Sequence, residues 1–500
     1  MKRMISFTMA LLMCLLSFAA CGEAKQEEET QKTADTAATA GEVVEETESL
    51  SPNWDEVAKP NLDGISIDIA CPNSSVNYYD ALDVEELTGD KLNDAIYTRN
   101  RALEEDLNCK MNALPGTGAA TSLTASVTAG SGDWDLALAL IQGSGGSLLT
   151  QGYLRSFNSL ETVDMSKPWW DQSAIETMAV NGQMFFGMMD FSVDIYESLT
   201  VLFYNGELID RFQLEDPYEL YQESAWTMDK VSEMIDTVAT DVNGDGKYTI
   251  NDDTFGLAGR EYDFQPIMFS SGMEIIKWNE AENKFMHNLT DERYLAIAQA
   301  IGNFYDDTRN GVEYGFTDAS RNAFKAGRVL FYSRLLGDYN QLRDQEDDYG
   351  IIAFPRYDYT SETSLCFVQN PNALFLPIMV GDDNGDGKQD YAEIGAFLQA
   401  AGAYTFDKTK EVYVENTVIG KGARDENSAN MLRHLLVNKG YCLGQSYAFS
   451  MILSATYNSI VANARYASAA RAVEKQFDKL AANIVTAIQD SVAKQEGIVD

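Results

Sequence analysis

Two stretches carry oxygen donors at the spacing of a calcium loop: DVNGDGKYTIND at 241–252 and DDNGDGKQDYAE at 382–393. Such a loop needs side-chain oxygens at positions 1, 3, 5, 9 and 12, a carbonyl at 7 and a glycine at 6 for the sharp turn. The first supplies Asp241, Asn243, Asp245, the Lys247 carbonyl, Thr249 and Asp252, with Gly246 at the turn. The second supplies Asp382, Asn384, Asp386, the Lys388 carbonyl, Asp390 and Glu393, with Gly387. Its Gln389 stands where an aliphatic residue normally packs. The plainer alternative is a pair of Asn/Gly-rich turns with solvated acids. Every ligand position is filled twice, so structural Ca2+ is expected in both loops. Neither has a partner loop beside it, which argues against a two-hand sensor and against a dockerin.

Little else in the chain is built for catalysis. There are only two histidines, His287 and His434. No nucleophile elbow, zinc helix, phosphate loop or dinucleotide fingerprint occurs in the right context. Carboxylates are abundant, so a surface glycoside hydrolase using an acid/base pair stands as the alternative function. Asp and Glu number 77 against 37 Lys and Arg. That excess argues against nucleic acid, whose phosphates need a basic surface.

These residues need elements to position them, and the pattern alternates strand and helix. ISIDIA puts Ile65, Ile67 and Ile69 on one face. Residues 90–108 read as a helix with Leu92, Ile96, Leu103 and Leu107 on one stripe. WDLALAL (134–140) reads as a strand ending in a loose loop, QGSGGS. Further strands are expected at 199–205, 255–259, 328–333, 349–355 and 372–380. AEIGAFLQAAGAY and the tail 464–493 read as helices, the tail burying Phe477, Leu480, Ile484 and Ile488. This order implies α/β architecture with mainly parallel sheets. Ligands in such sheets collect at the carboxyl ends of strands. If the strands ending at Cys71 and starting at Cys109 are parallel neighbours, their sulfurs lie on the order of 15 Å apart at ~3.3 Å per residue. A disulfide between them is then excluded.

The chain opens MKRMISFTMALLMCLLSFAACGE. Lys2 and Arg3 precede an apolar run too short to be a stable spanning helix. FAAC matches a lipobox, which would make Cys21 the acylated, palmitate-type mature N-terminus. The alternative is an ordinary signal peptide cut after Ala20. Acyl chains contribute roughly 0.8 kcal/mol per buried CH₂, so two or three would anchor the protein firmly. Residues 21–59 are rich in Glu, Thr and Ala and read as a disordered acidic tether.

Several segments together resemble the carbohydrate-type solute-binding proteins of ABC importers, the maltose-binding-protein-like lipoproteins of Gram-positive bacteria. They are NGQMFFGMMDFSVDIYESLTVLFYNGELIDRF (181–212), SAWTMDKVSEM (224–234), ASRNAFKAGRVLFYS (319–333), DDYGIIAFPRYD (347–358) and DVEELTGDKLNDAIYTRNRALEEDLNCKM (83–111). The resemblance covers nearly all of 60–500. It implies a two-lobed, type II periplasmic-binding-protein-like fold joined by hinge crossovers. Lobe one would hold 60–183 and 366–425; lobe two would hold 184–365 and 426–500. The ligand-binding residues would then be Tyr78, Tyr79, Gln142, Ser144, Asp190, Tyr196, Glu261, Tyr262, Arg334, Gln369 and Tyr447. Aromatic faces among them suit a sugar ring, and the polar groups suit its hydroxyls. The implied partners are a carbohydrate and ABC permease subunits. The implied place is the outer face of the cell membrane, held there by lipid, as a monomer and not an enzyme.

Overall fold

The computed structural model describes residues 54–72, 82–115, 118–192, 194–260, 264–306, 310–313, 318–360, 364–461 and 466–497. The leader, Cys21, the tether, Tyr78, Tyr79, Glu261 and Tyr262 lie outside these residues.

Two five-stranded sheets organise the rest. The first is built from β1 (Ser66–Cys71), β2 (Lys110–Pro115), β3 (Leu136–Leu140) and β4 (Leu154–Arg155), with one strand from much later in the chain. The second takes β5 (Thr200–Asn205), β6 (Phe255–Arg260), β9 (Asn310–Glu313), β10 (Val329–Leu335) and β11 (Tyr349–Ile352). A hairpin, β7 (Ile276–Asn279) with β8 (Lys284–His287), stands apart, and so does a short pair, β12 (Cys366–Phe367) with β14 (Lys439–Gly440). β13 (Asn372–Pro377) is the late strand of the first sheet, whose order is β2-β1-β3-β13-β4; the second runs β11-β5-β10-β6-β9.

The sheets are mixed, where mainly parallel ones were expected. β1 is parallel to β2 and β3, but β13 is antiparallel to β3 and β4. Likewise β10 and β9 are parallel to β6, while β5 runs antiparallel to β10 and β11. The antiparallel members β5 and β13 are the strands that enter a sheet directly from a crossover. Neither arrives by the strand–helix–strand unit that enforces parallel order.

The local elements follow the sequence pattern closely. Ile67 and Ile69 are buried on one face of β1 and join Leu136, Leu138, Leu374 and Leu376 over Leu103, Leu107 and Phe397. The opposite face carries Ala70, Ala137, Ala139 and Phe375, which merge into the larger core containing the second sheet. The helix Lys91–Leu107 starts at Asp90, whose carboxylate caps the N–H groups of Leu92 and Asn93. Its buried stripe includes one residue the hydrophobic pattern skipped, Arg99. The guanidinium donates to the carbonyls of Leu82 and Phe191 at 2.7 and 3.1 Å. Burial pushes its pKa down to about 9.

QGSGGS is not a loose loop. After a break at Gln142 and Gly143 the chain becomes helical to Thr150. A Cβ on Gly146 would sit 2.3 Å from the Ala448 backbone nitrogen, and one on Gly145 would sit 2.9 Å from the Ser446 carbonyl. The glycines therefore serve close packing of this helix on 446–448.

The helix beginning at Tyr391 does not end at Tyr404. It continues through π-helical turns, Thr405–Thr409 and Val412–Ile419, to Gly422. The final helix, Tyr466–Gln495, buries Phe477, Ile484 and Ile488. It touches elements of both sheets' surroundings: β4 and the helix Ile141–Thr150 on one side, β8 and the helix Glu292–Asp306 on the other. Ser491 Oγ donates to the Leu154 carbonyl at 2.7 Å. The tail thus packs on elements assigned to both of the expected lobes.

Cys109, Cys366 and Cys442 are free thiols. Cys71 pairs in register with Pro115 and Ser66 with Lys110, so Cys71 and Cys109 do lie at opposite ends of parallel neighbours. Among the described residues no helix is long and apolar enough to cross a membrane.

Candidate functional site

Three chain segments meet where the two sheets join. Leu199 bridges Val368 in antiparallel fashion, and β12 pairs with β14. Backbone bonds stitch them: Gln369 N–H to the Ser198 carbonyl at 2.8 Å, and Val368 N–H to the Gly440 carbonyl at 2.9 Å. Two strand ends are tied to the same place. Ile141, just past β3, donates to the Pro371 carbonyl at 3.0 Å, and Leu336, just past β10, donates to the Leu199 carbonyl at 2.7 Å.

A polar and aromatic cluster fills this junction. Tyr196 OH donates to Asp190 Oδ1 at 2.5 Å, and Lys410 Nζ pairs with Asp190 Oδ2 at 3.0 Å. Tyr413 lies with its ring 5.7 Å from that of Tyr196 and donates to Glu197 Oε1 at 2.7 Å. Tyr339 approaches the same oxygen at 3.4 Å. On the other side Lys439 Nζ meets Asp171 Oδ2 at 2.7 Å, and Tyr441 OH donates to that oxygen at 2.8 Å. Lys439 and Lys410 stand 5.3 and 5.8 Å from the centre of the Tyr196 ring.

The electrostatics favour hydrogen bonding over reaction. Burial, then the charge of Asp190, pushes the Tyr196 phenol well above its ordinary pKa. Burial and Asp171 do the same to Tyr441. Both phenols stay protonated as donors. Burial works against the charge of Asp171, but Lys439, the Ala174 N–H and Tyr441 together hold its pKa below the usual carboxylate value. Burial pushes the Cys366 and Cys442 thiols up to about 12, so neither is a nucleophile near neutrality.

Of the residues expected to contact a ligand, Asp190 and Tyr196 bond directly here, and Gln369 is held in the crossover by its backbone. Gln142 and Ser144 follow β3 at the tied strand end, Gln142 exposed in extended conformation. Arg334 is at the end of β10. Its Nε reaches Asp338 only at 3.8 Å, because Asp338 already takes two bonds from Arg321 and one from Tyr332. Tyr447 does not join them. It is fully buried, its OH donates to the Met178 carbonyl at 2.7 Å, and its ring packs on Phe186 and Phe285. A tyrosine among apolar residues with its hydroxyl already satisfied is a packing residue.

Asp171, Glu197, Tyr339, Lys410, Tyr413, Lys439 and Tyr441 were not foreseen. Lys410 and Tyr413 lie on the π-helical stretch past Tyr404. Widened turns of this kind recur at functional sites. The remaining signal was the pair KGYC and LCFV, two short segments that could flank a crossover.

The two acidic loops lie elsewhere, and they share one backbone design. Gly246 and Gly387 N–H groups donate to Asp241 and Asp382 at 2.8 and 3.0 Å. Asp245 and Asp386 N–H groups donate to Asn243 and Asn384 at 2.9 Å. Lys247 and Lys388 N–H groups donate to Asp245 and Asp386 at 2.8 Å. Gly246 and Gly387 have φ of 78° and 85°, which only glycine adopts at little cost. The loops close differently. Asp252 is exposed and receives the Thr249 hydroxyl at 2.9 Å. Its neighbour Asp253 is buried instead and accepts the Val242 and Thr249 N–H groups, one on each oxygen. In the second loop Asp390 is the buried residue. Its Oδ2 accepts the Asp383 N–H at 2.7 Å, and its Oδ1 has no partner. Among the described residues no three Asp, Glu, His or Cys side chains already converge as a metal site.

The sequence profile of the bacterial extracellular solute-binding proteins matches residues 101–412. No curated protein matches the chain. Among solved structures, a cyclo/maltodextrin-binding protein complexed with maltotetraose aligns at a TM-score of 0.52 and 14% identity, over 89% of this chain and 98% of its own. An ABC substrate-binding protein of Listeria monocytogenes in complex with cycloalternan aligns at 0.51 and 11%, over 83% and 99%. An extracellular solute-binding protein of Staphylococcus aureus in complex with maltose aligns at 0.50 and 12%, over 88% and 98%. These likenesses fix the fold as two-lobed α/β. The profile spans well over half of the sequence, and so this chain belongs to the bacterial extracellular solute-binding proteins, a family of binding proteins rather than enzymes.

Proposed function

We propose that this chain is the capture component of an ABC importer. It is held at the outer face of the cell membrane by lipid on Cys21, and it closes two lobes on a sugar or oligosaccharide. The observation that carries the reading is the junction cluster, where Tyr196 and Tyr413 stand beside Asp190, Glu197 and Lys410 at the crossovers. The Tyr196 and Tyr413 rings are buried and brace the junction, while the half-buried Lys410 ammonium and the carboxylates beside it can bond a sugar's hydroxyls. The strand ends bearing Gln142 and Arg334 are tied to the same junction, so a ligand there would meet both lobes. The carbohydrates in the three neighbouring structures support the same class of solute. Closure is then ligand-biased hinge motion at the crossovers, and handover to permease subunits follows.

Calorimetric titration against a carbohydrate panel including maltose, maltotetraose and cycloalternan tests this. At least one should bind at one site per chain. Asp190→Asn and Arg334→Ala should each weaken that ligand by about five- to a hundredfold, as expected for a lost bond of about 1–3 kcal/mol. A panel without a binder, or a binder indifferent to both variants, would refute the reading.

A further inference from the structure

We propose that the second acidic loop, Asp382–Glu393, is a binding site for a hard divalent cation of the calcium class. The side chains of Asp382, Asn384, Asp386, Asp390 and Glu393 and the Lys388 carbonyl would be its ligands. The inference stands apart from the solute site, since the loop leaves β13 at the end where β3 begins, away from the crossovers.

The ligand pattern alone would not carry this, because an acidic turn can satisfy the same spacing. The deciding feature is Asp390. It is 3% exposed, at the base of the loop, and one of its carboxylate oxygens has no partner. An unpaired oxygen of a buried carboxylate is expensive unless it meets a proton, a donor or a cation. What surrounds it is further negative charge. Asp382, Asp383 and Glu393 of the same loop are its charged neighbours. Asp135, buried just before β3, adds a further carboxylate on that side. The one cationic side chain of the loop, Lys388, is exposed and reaches only Asp386, at 4.0 Å.

The backbone has already set much of the cage. Asp382, Asn384 and Asp386 each bind one loop N–H, which fixes their direction without proton donors from elsewhere. Asn384 Nδ2 touches Glu393 Oε1 at 3.2 Å, so positions 3 and 12 are neighbours in space. Five side chains and a carbonyl make an all-oxygen set of six, within the six to eight that calcium takes at 2.3–2.6 Å. Magnesium demands tighter octahedral geometry and sheds water reluctantly, so a flexible loop of this kind favours calcium. The first loop lacks the deciding feature. Both oxygens of its buried acid, Asp253, are taken by N–H groups, and the inference is not extended to it.

The test is titration of calcium chloride, and separately magnesium chloride, into chelator-treated full-length protein. Parent, Asp386→Ala, Asp390→Asn and the first-loop Asp245→Ala are compared by calorimetry and by melting temperature. Asp390→Asn keeps an oxygen to accept the Asp383 N–H, so its fold is preserved while the charge is lost. The parent should bind calcium more tightly than magnesium and melt higher with it. Asp386→Ala and Asp390→Asn should each weaken that binding at least tenfold, while Asp245→Ala retains it. No calcium binding by the parent overturns the proposal. So does binding that survives both second-loop variants, which would place the ion elsewhere. Should Asp386→Ala fail to fold, Asp390→Asn alone decides.

Discussion

Removing one hydroxyl at the junction gives a direct measure of how much the cluster holds. Tyr196→Phe deletes the donor to Asp190 and changes little else, since both rings fill the same space. Tyr196 is 2% exposed and Asp190 is 8% exposed, so water cannot replace the lost bond. Asp190 keeps Lys410 on its other oxygen, which limits the loss to one charged-acceptor bond. Such bonds contribute about 1.5–3 kcal/mol. Unfolding entropy near 2.1 cal/mol/K per residue means that a folded region of this size loses about 1 °C of Tm per kcal/mol. The single variant should therefore melt about 2–3 °C lower without ligand. A double-mutant cycle with Asp190→Ala, which leaves the Tyr196 hydroxyl no acceptor there, isolates the pair from the Lys410 contact, and the coupling should be about 1.5–3 kcal/mol. Urea midpoints for the four proteins supply it. A coupling below about 0.5 kcal/mol, the scatter of additive sites, would refute the claim that this bond is made in the unliganded protein.

Three further outcomes are expected. Cys21→Ser should release the protein from the membrane fraction or block its processing, and normal retention with normal processing would remove the lipid anchor from the proposal. Asp171 has a folded pKa held below the ordinary value of 3.8, so its contribution to stability is fully present above that value and drains away as pH falls through the folded pKa. The gap in urea midpoint between parent and Asp171→Asn should accordingly be widest near neutrality and narrow below pH ~4; a gap constant with pH would contradict the assignment. Gly146→Ala should cost about 1–3 kcal/mol by overpacking against Ala448, and an unchanged melting curve would mean that the helices yield there.

The elements of this protein were legible because burial writes a period into the sequence. β5, β10 and β13 are nearly continuous apolar runs, β1 alternates its isoleucines with Ser66 and Asp68, and the helix Lys91–Leu107 shows both its stripe and its cap. The glycines of 142–147 misled, because the same residue that loosens a loop also permits close helix packing. The direction of β5 and β13 was hidden, since no local residue records which sheet a strand has just left. Of the cluster, Asp190 and Tyr196 could be named because they share one crossover. Asp171 and Tyr441 could not, lying 270 residues apart with no local signal at either end. Tyr447 was misjudged because a tyrosine near the chain's end looks the same in sequence whether its hydroxyl meets a solute or the Met178 carbonyl.

The final helix has a kinetic consequence. It is packed on elements of both lobes and bonded through Ser491 to Leu154. In the proposed hinge motion, lobes rotating apart about the crossovers would strip it from one side first. Opening would then carry an activation barrier of its own, and the arrangement that keeps both sets of helix contacts would be favoured before any solute arrives. A protein biased in this way loses less affinity to conformational selection, but solute can enter only as fast as the helix lets go. Loosening that latch, for instance with Ser491→Ala, should speed both association and release of a bound solute. Equal rates in parent and variant would show that the helix rides with one lobe throughout.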